Sequence, residues 1–433
     1  MMHTLSRRRF LLRTSAVLGL GCAPRVGLWA GSPNERLAVG FVGTANRAAA
    51  NLQAVASLKE AVEVRALCDV DANFLQAALA KHPGAKAYRD FREMLEKERL
   101  DAVVVSTPDH THAVATTAAL RRGCHVYCEK PLTRTVSECR AVRVLAAQKG
   151  VKTQLGTQIH AGSNYRRVVE WIRSGVIGPV REVHVWVAAS YGGKELPKEH
   201  PPVPPNLDWD LWLGPVPWRP YSPEYAPFAW RNWWAFGGGA LSDFGCHFMD
   251  LPHWALQLTT PDWVEPVDGP PVHPESTPPW LVLRYQYPAR GALPPVTLHW
   301  YHGGRKPDAL LTEEQRKYFR SGVLFIGEEG RLLADYTRRQ LLPEEKFARF
   351  EPPKPFIPDS IGHHREWVEA IRNDGPTTCH FAYSGALTEA VLLGNVAYRA
   401  GRRIEWDAAN LRARNCPEAD AFIRHVYRQG WSL

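Results

Sequence analysis

The chain has 433 residues, enough for two domains at about 150 residues each. Its net charge of +9 includes five arginines before residue 35, where no acidic residue occurs, so the remainder carries only +4. A net charge this small, without a basic patch and interleaved aromatic residues, argues against a nucleic-acid partner. Many of the 35 prolines and 16 tryptophans fall between Pro197 and Pro279, which predicts loops lined by aromatic rings. Such a region suits a sugar-binding surface and equally suits plain loop packing.

Residues 1–34 predict an export signal. Ser6-Arg7-Arg8-Arg9-Phe10-Leu11 fits the twin-arginine pattern, and an apolar stretch from Leu11 to Ala30 follows it. Arginine and proline interrupt that stretch, which makes it a poor membrane-spanning anchor. The alternative is a basic tail before an apolar helix. We expect export to the periplasm, with a lipid anchor at Cys22 poorly supported by the residues before it, and no transmembrane span elsewhere.

Residues 35–156 are predicted to form a doubly wound α/β domain, in which short apolar strands alternate with helical periods. The predicted strands are Leu37–Gly43, Val62–Asp69, Ala102–Ser106, His125–Glu129 and Lys152–Gly156, and the predicted helices between them are Arg47–Leu58, Ala72–Lys81, His112–Arg122 and Thr135–Lys149. Strands that are apolar throughout and separated by helices indicate a parallel sheet covered on both faces.

The first strand–helix turn carries a weak dinucleotide-binding fingerprint. Gly43 holds its first position, but Ala45 and Ala48 replace the other two glycines. Asp69, at the end of the second strand, strengthens the interpretation, because a carboxylate there accepts hydrogen bonds from ribose hydroxyls and favours NAD over NADP. Its alternative role is to cap the next helix, which Asp71 can do equally well. The candidate cofactor contacts of this region are Gly43, Thr44, Ala45, Asn46, Arg47 and Asp69.

The next two strand ends also carry polar residues. In Thr107-Pro108-Asp109-His110-Thr111-His112 the acid and histidines are better explained as helix-opening residues than as metal ligands, while the backbone of Ser106, Thr107 and Pro108 is expected to line the cofactor cleft. The following strand ends in Glu129-Lys130-Pro131. Lys130 therefore lies where ligands of open α/β sheets collect, and a partly buried lysine suits proton transfer. The alternative is an ordinary surface lysine.

Cysteine spacing predicts neither a metal site nor an essential disulfide framework. Cys68, Cys128 and Cys246 lie within apolar runs, where a small thiol packs well. Cys124 and Cys128 are four residues apart, but no second Cys/His pair completes a zinc site.

Residues 157–433 are predicted to form an α+β domain with a large open, mostly antiparallel sheet. Its predicted strands are Arg181–Ala189, Leu281–Tyr287, Val296–Tyr301 and Val323–Ile326, and its predicted helices are Ala161–Ser174, Asp243–Gln257, His364–Arg372 and Ser384–Ala400. Asp243 and His247 are four apart and share a helix face, so Asp243 is expected to orient an imidazole that takes up a proton. The alternative is a buried histidine beside an aspartate.

Taken together, these motifs resemble the Gfo/Idh/MocA oxidoreductases, the glucose–fructose oxidoreductase and inositol dehydrogenase group. The resemblance rests on Thr107–His110, Tyr127–Leu132 and Gly237–Asp250, and covers about Leu37 to about Asp407. It implies bound NAD, and a Lys130 that polarises a substrate hydroxyl near the nicotinamide. It further implies a cis peptide before Pro131 and a homo-oligomer, either a dimer or a tetramer.

The resemblance also suggests further contacts. His110, Glu129, Lys130 and Gln158 are expected at the cofactor and His160 at the substrate. Asp243 joins Lys130 and His247 as catalytic residues. Sugar-stacking or cleft-lining candidates, for which core packing is the alternative, are Trp230, Arg231, Trp233, Trp234 and Tyr301.

These expectations lead to a hypothesis about function. Because free NAD is scarce outside the cytoplasm, an exported enzyme would best retain its cofactor. We expect an NAD-dependent oxidoreductase acting on a sugar. The closest alternative is a redox-neutral glycoside hydrolase that oxidises, eliminates and reduces. A non-catalytic sugar-binding protein, with Ala45 and Ala48 as signs of decay, is the third possibility.

Overall fold

The computed structural model describes residues 36–433. The expected export signal, with its candidate anchor Cys22, lies outside these residues. Within residues 36–433, no helix has both the length and the apolar character needed to cross a membrane. The cysteines in that range are all buried free thiols.

The first part of the described chain alternates strands and helices. Its elements are β1 (Leu37–Val42), α1 (Arg47–Ala56), β2 (Val62–Cys68), α2 (Ala72–Leu79), β3 (Lys86–Tyr88), α3 (Phe91–Lys97), β4 (Ala102–Val105), α4 (Asp109–Arg121), β5 (His125–Cys128), α5 (Val136–Lys149) and β6 (Thr153–Leu155).

The six strands form one parallel sheet in the order β3-β2-β1-β4-β5-β6. Alternate residues of β4 enter different cores: Val103 and Val105 pack on one face of the sheet and Val104 on the other. Both faces are therefore covered, as the unbroken apolar strands predicted. The order reverses between β1 and β4, which leaves a crevice at the carboxyl ends of the strands. The predicted doubly wound parallel sheet is confirmed.

The prediction missed β3 and α3. Lys86 and Ala87 of β3 are exposed, because this strand pairs only with β2 at the sheet edge. A three-residue edge strand has no apolar run to reveal it.

The second part contains the remaining elements. These are α6 (Ser163–Arg173), β7 (Val180–Val187), α7 (Trp209–Leu213), α8 (Gly239–Phe248), α9 (Asp250–Leu256), β8 (Trp263–Asp268), β9 (Leu281–Tyr287), β10 (Val296–His302), α10 (Glu313–Tyr318), β11 (Gly322–Gly327), β12 (Arg331–Ala334), β13 (Arg339–Leu342), α11 (His363–Arg372), α12 (Phe381–Arg399), β14 (Ile404–Asp407), β15 (Arg412–Ala413) and α13 (Asp420–Ile423).

The second sheet has nine strands in the order β13-β12-β11-β7-β10-β9-β8-β14-β15. Only the β7–β10 pair is parallel among these described strands, so the expected open, mostly antiparallel sheet is confirmed. Leu298 and Trp300 of β10 face a core shared with helices, while Tyr301 lies on the opposite, outer face.

Two features of this part differ from the prediction. The single helix expected over Asp243–Gln257 is two helices, α8 and α9, that meet at Met249. The other is the packing of helix α11: its place in the sequence predicts contact with the second sheet, but α11 packs on the first sheet, where its Trp367 is fully buried beside Val104 and Tyr127.

Candidate functional site

A cavity runs along the crevice at the carboxyl ends of β1 to β4. It is lined by the loop after β1, the residues that follow β2 and β3, and the turn after β4. Leu207, Trp212, Trp230 and Arg231 close it from the second part of the chain. Nine of the expected cofactor contacts line this cavity, namely Gly43, Thr44, Ala45, Asn46, Arg47, Asp69, Ser106, Thr107 and Pro108.

The loop after β1 is shaped for a close ligand. Gly43 has φ +94°, and a Cβ there would come within 2.6 Å of the Ser106 carbonyl oxygen, so the position requires glycine. Asn46 ends the loop with φ 55°, and the helix α1 that follows has neither a side-chain cap among the described residues nor an acid in its first turn. Its N–H groups are thus available to the pyrophosphate of a dinucleotide.

Asp69 holds the loop in place from the end of β2. Its Oδ2 accepts hydrogen bonds from the backbone N–H and the hydroxyl of Thr44, each at 2.8 Å, and its Oδ1 accepts from the Asp71 N–H at 3.0 Å. Burial raises the pKa of Asp69, and these hydrogen bonds partly offset that rise.

The competing role of helix cap belongs to Asp71. Its Oδ1 accepts from the N–H groups of Asn73 at 2.9 Å and Phe74 at 3.3 Å, at the start of α2. Asp69 is therefore free of capping and lies in the cavity wall with an acceptor site left over for a ribose hydroxyl. Together with the open N-terminus of α1, these residues fit NAD.

Behind the cavity, Glu129 is the centre of a buried network. Its Oε1 accepts from Asn51 Nδ2 at 2.9 Å and from Gln158 Nε2 at 2.7 Å, and Asn51 Nδ2 also contacts the Ser106 hydroxyl at 2.9 Å. A Cβ at Gly156 would lie 2.5 Å from Glu129 Oε1. Glu129 and Gln158 thus join the ends of neighbouring strands and do not line the cavity.

Lys130 and Asp243 meet at the end of β5. The peptide between Lys130 and Pro131 is cis, as the family resemblance implied. The Lys130 ammonium donates to the Asp243 carboxylate and, at 3.1 Å, to its backbone carbonyl. Arg231 Nε lies 3.1 Å from the same carboxylate, and the Tyr191 hydroxyl donates to Asp243 Oδ2 at 3.0 Å. One carboxylate therefore holds a lysine, an arginine and a tyrosine.

The charges in this cluster fix its protonation. Burial by itself would raise the pKa of Asp243, but the positive charges of Lys130 and Arg231 outweigh it and hold that pKa far below its usual range. Burial and the Asp243 charge raise the pKa of Tyr191 to about 12, so Tyr191 stays a hydroxyl donor at neutral pH.

His247 lies one helical turn beyond Asp243 on α8, but the two side chains are not hydrogen-bonded. The expectation that Asp243 orients His247 is therefore wrong, because Lys130, Arg231 and Tyr191 occupy that carboxylate. Burial, reinforced by the Lys130 charge, lowers the pKa of His247 to about 3. Its Nδ1 is buried and has no hydrogen-bond partner within residues 36–433, as expected of an atom that awaits a ligand.

His110 and His160, which were expected to contact the cofactor and the substrate, do not line the cavity. His110 Nε2 is 2.8 Å from the Trp212 carbonyl oxygen, and its ring packs on Trp212 and Phe236, so it joins α4 to α7 and does not line the cavity. His160 Nδ1 contacts both carboxylate oxygens of Asp250 at 2.9 and 3.0 Å, and its ring stacks on Trp254 at 3.8 Å. Both histidines are almost fully buried, which corrects their assignment to cofactor and substrate.

The tryptophans divide between the cavity and the core. Trp230 lines the cavity, with the Arg231 guanidinium 4.0 Å above its ring. Trp233 and Trp234 are buried, and their indole N–H groups donate to the carbonyls of Glu224 and His273. Neither ring has a face open to a sugar in this structure.

Tyr301 is also misplaced by the prediction. It lies on the outer face of the second sheet, with its hydroxyl 2.9 Å from His184 Nδ1. The strand alternation of β10 puts its neighbour Trp300 in the core and turns Tyr301 away from it.

Two side-chain clusters among residues 36–433 have the spacing of metal ligands. They are His160, Asp250 and Cys379, and Glu182, His184 and His299. Neither cluster lines the cavity. The prediction that the enzyme uses no metal stays a prediction.

Several site residues were not found from the sequence. Tyr191 follows β7 in a loop, where no periodic pattern marks it. Asn51 gave a weak signal, a polar residue on the apolar face of α1. Asp109 opens α4 and is 4% exposed. Burial raises its pKa to about 8 despite the nearby charges of Arg231 and Lys130, which leaves a neutral carboxyl beside the cluster at pH 7.

Two sequence models of one oxidoreductase family match the chain. The model of its NAD-binding Rossmann fold matches residues 37–157, and the model of its C-terminal alpha/beta domain matches residues 167–293. Together they cover more than half of the chain.

Individual relatives are more distant. Inositol 2-dehydrogenase of Salmonella typhimurium is 34% identical over 151 residues, which are 34% of this chain and 45% of that protein. A glycosyl hydrolase family 109 protein of Solibacter usitatus is 31% identical over 203 residues, 41% of this chain and 44% of that protein. The chain thus spans less than half the length of these curated relatives.

Among solved structures, the WlbA dehydrogenase from Bordetella pertussis in complex with NADH and UDP-GlcNAcA has a TM-score of 0.62. The match covers 86% of this chain and 99% of that chain at 19% identity. At that identity the match shows a shared fold.

Proposed function

The chain belongs to the Gfo/Idh/MocA family of NAD-binding oxidoreductases, and from that premise we propose that it oxidises a secondary alcohol of a sugar or sugar derivative with a tightly held NAD. The observation that carries the proposal is the cluster of Lys130, Asp243 and His247 at the end of β5. This cluster lies next to a crevice whose lining fits a dinucleotide.

NAD, when bound, supplies the acceptor for a hydride leaving the substrate carbon. The protein must therefore bind the hydroxyl on that carbon and remove its proton. Lys130 carries three N–H donors, of which the two toward Asp243 fix the position of the ammonium. The remaining donor is free to hydrogen-bond the substrate hydroxyl oxygen and to stabilise the negative charge that develops on it.

His247 completes the proton path. Because burial and the Lys130 charge keep it neutral at physiological pH, an unprotonated nitrogen is available to accept the hydroxyl proton. Its low pKa also means that a proton received there passes on readily. Asp243, ionised throughout, keeps Lys130 in place during this transfer.

A sugar-like substrate is supported by the cavity and by the relatives. Arg231 and Trp230 form the end of the cavity near Asp243, and they offer guanidinium N–H donors beside an aromatic surface. Inositol 2-dehydrogenase and the family 109 glycosyl hydrolases, by their names, act on ring polyols or glycosides. Hydroxyl-rich rings match donors placed beside an aromatic ring.

The second candidate is a redox-neutral glycoside hydrolase, favoured by the similarity to family 109 proteins. In that cycle a ring hydroxyl is oxidised, and the neighbouring C–H becomes acidic. Its proton is lost as the aglycone leaves, water adds, and the hydride returns. Atoms and electrons balance without an external oxidant, so the same Lys130 and His247 serve both reactions.

One experiment separates these possibilities. The purified protein is denatured and the released NAD is quantified, and the native protein is then incubated with sugars and aryl glycosides in heavy water. Net NADH formation with a free sugar indicates the dehydrogenase. Release of the aglycone with deuterium in the sugar and no net NADH indicates the hydrolase. Sub-stoichiometric NAD that added NAD does not restore would contradict both and favour a non-catalytic binding protein.

We further propose export and self-association. Export rests on the twin-arginine pattern of residues 1–34, and is tested by fractionating cells that express the chain with Arg7→Lys and Arg8→Lys.

Self-association as a dimer or tetramer rests on the family resemblance, and the outer face of the second sheet is the candidate contact. Light scattering on the purified protein tests it.

A further inference from the structure

The segment 424–433 reaches the cavity through Trp431, at a place that the proposed mechanism does not use. Trp431 lines the same cavity as Asp69 and Phe74, although it lies far from them in sequence. Its ring packs on Phe91, with centroids 6.0 Å apart, and the Arg92 guanidinium lies 4.3 Å from its ring centroid. A large aromatic ring is therefore fixed in the wall of the crevice.

The order of the first sheet tells which end of a dinucleotide this ring would meet. Lys130 follows β5, and the strands run from there through β4, β1 and β2 to β3 at the edge. A dinucleotide with its nicotinamide near Lys130 and a ribose at Asp69 has its adenine beyond Asp69, toward β3. Phe91, which contacts Trp431, directly follows the turn after β3. Trp431 thus lies at the adenine end.

The segment that carries Trp431 is anchored to two helices, α7 and α5. Arg428 donates to the carbonyls of Gly214 and Asp210, at 3.1 and 2.9 Å, and pairs with the Asp210 carboxylate. The Tyr427 hydroxyl donates to Glu138 Oε1 on α5 at 2.8 Å. These bonds tie the segment to α7 on one side and to the first domain on the other.

We propose that Trp431 forms the adenine-side wall of the NAD site and that residues 424–433 act as a strap that slows release of the cofactor. This inference rests on the proposed NAD-dependent function and gives a structural cause for tight retention. An aromatic ring stacked on a base adds affinity without base specificity. The anchors of the strap keep that ring in place, so the cofactor leaves only when the strap moves.

The test compares Trp431→Ala with Trp218→Ala, a matched control whose side chain is 67% exposed and outside the cavity. Dissociation constants and release rates are measured for NAD and ADP-ribose by titration and stopped flow. Trp431→Ala is expected to raise the dissociation constants of NAD and of ADP-ribose on the order of 5- to 100-fold, which is the range of one base–aromatic stack. Trp431→Phe should recover most of the loss, and nicotinamide mononucleotide, which lacks adenine, should show no change.

Arg428→Ala provides a second route if Trp431→Ala fails to fold, since it loosens the strap and keeps the ring. It is expected to speed NAD release more than it slows NAD binding. Wild-type affinity for ADP-ribose in Trp431→Ala, or unchanged NAD release in Arg428→Ala when Trp431→Ala is unfolded, would overturn the inference. Failure of the wild-type protein to bind NAD would instead overturn the proposed function itself.

Discussion

Lys130 and Asp243 are 113 residues apart in sequence, yet the lysine ammonium is bonded to both the carboxylate and the backbone carbonyl of the aspartate. Asp243 is also the partner of Arg231 and Tyr191. The bonds to the carbonyl and carboxylate make the position of the ammonium depend on helix α8. The two parts of the chain therefore build the reactive cluster jointly.

Lys130→Met is expected to lower kcat/KM by about 10²- to 10⁴-fold, because it removes the charge that polarises the substrate hydroxyl. NAD affinity should change little, since the cavity lining stays intact. Steady-state kinetics and NAD titration measure the two effects. A variant that keeps turnover within a few-fold of wild type would show that Lys130 is not part of the reaction.

Asp243→Asn leaves Lys130 and Arg231 next to each other without the carboxylate that pairs with both. Removing one partner of a buried ion pair costs about 3–5 kcal/mol, and the partial exposure of Arg231 places the expected loss near the lower end. Urea unfolding measures it. Asp374→Asn is the control, since Asp374 is 92% exposed and its loss should leave the free energy of unfolding unchanged. Equal stabilities of the two variants would refute the central role of Asp243.

Asp69→Asn is expected to weaken NAD binding and to narrow the preference for NAD over NADP. The neutral amide no longer repels a 2′-phosphate and accepts hydrogen bonds from ribose hydroxyls less strongly. Asp71→Asn is the matched comparison, because Asp71 caps α2 and asparagine caps a helix about equally well, so neither the free energy of unfolding nor the cofactor preference should change much. The ratio of the NAD and NADP dissociation constants decides the matter, and an unchanged ratio in Asp69→Asn would count against ribose recognition.

Gly156→Ala is expected to displace Glu129, since the added Cβ would lie 2.5 Å from its carboxylate. The hydrogen bonds of Asn51 and Gln158 to Glu129 would be strained, with a lower melting temperature and weaker NAD binding as results. Gly84→Ala is the control, because nothing lies within 4 Å of a Cβ there. Differential scanning fluorimetry with and without NAD measures both effects, and identical behaviour of the two variants would contradict the expectation.

Stability should fall as the pH drops below about 6.5. Burial lowers the pKa of His110, His247 and His363 to about 3 and that of His112, His253 and His302 to about 4. The unfolded chain binds these protons below pH 6.5 while the folded chain does not, so the histidine contribution to the free energy of unfolding increases with pH between about 4 and 6.5 and levels off above. Asp109, whose pKa is raised to about 8, opposes this trend by one proton, which the six histidines outweigh.

Each such histidine contributes up to about 1.4 kcal/mol per pH unit in that window. Urea unfolding at pH 5.5 and 7.5 measures the slope. His302→Asn removes one of the titrating groups, so the number of protons taken up on unfolding should fall by about one. The slope should then fall by up to about 1.4 kcal/mol per pH unit. A stability that is flat between these two pH values would disprove the expected linkage.

The sequence was most informative where strands are buried and ligands collect at their ends. Unbroken apolar runs located most of the first sheet. Strand-end positions predicted Gly43 and Asp69 as site residues, and both line the cavity. The edge strand β3 escaped because its residues are exposed. Helix α11 was predicted, but its packing on the first sheet depends on a contact across more than 200 residues, which no local pattern encodes.

Aromatic residues in loops were the hardest to place. Trp230, Trp233 and Trp234 are nearly adjacent, and nothing in the sequence distinguishes one of them as a site residue. Of the three, only Trp230 lines the cavity. The direction of each ring follows from the irregular path of the loop, which has no period to read. Tyr191 and Trp431 were missed for the same reason, since both lie in segments without regular structure.

The return of α11 to the first sheet bears on how ligands enter and leave. Trp367 is fully buried against the first sheet, so swinging the two halves apart as a clamshell would expose that ring to water. Exposure of a buried tryptophan costs several kcal/mol, which makes wide opening rare. We therefore expect the substrate to enter by local motion of the cavity-lining segment Pro227–Arg231, while the two halves stay joined. The opening rate of that segment would then limit substrate binding, regardless of the rate of hydride transfer.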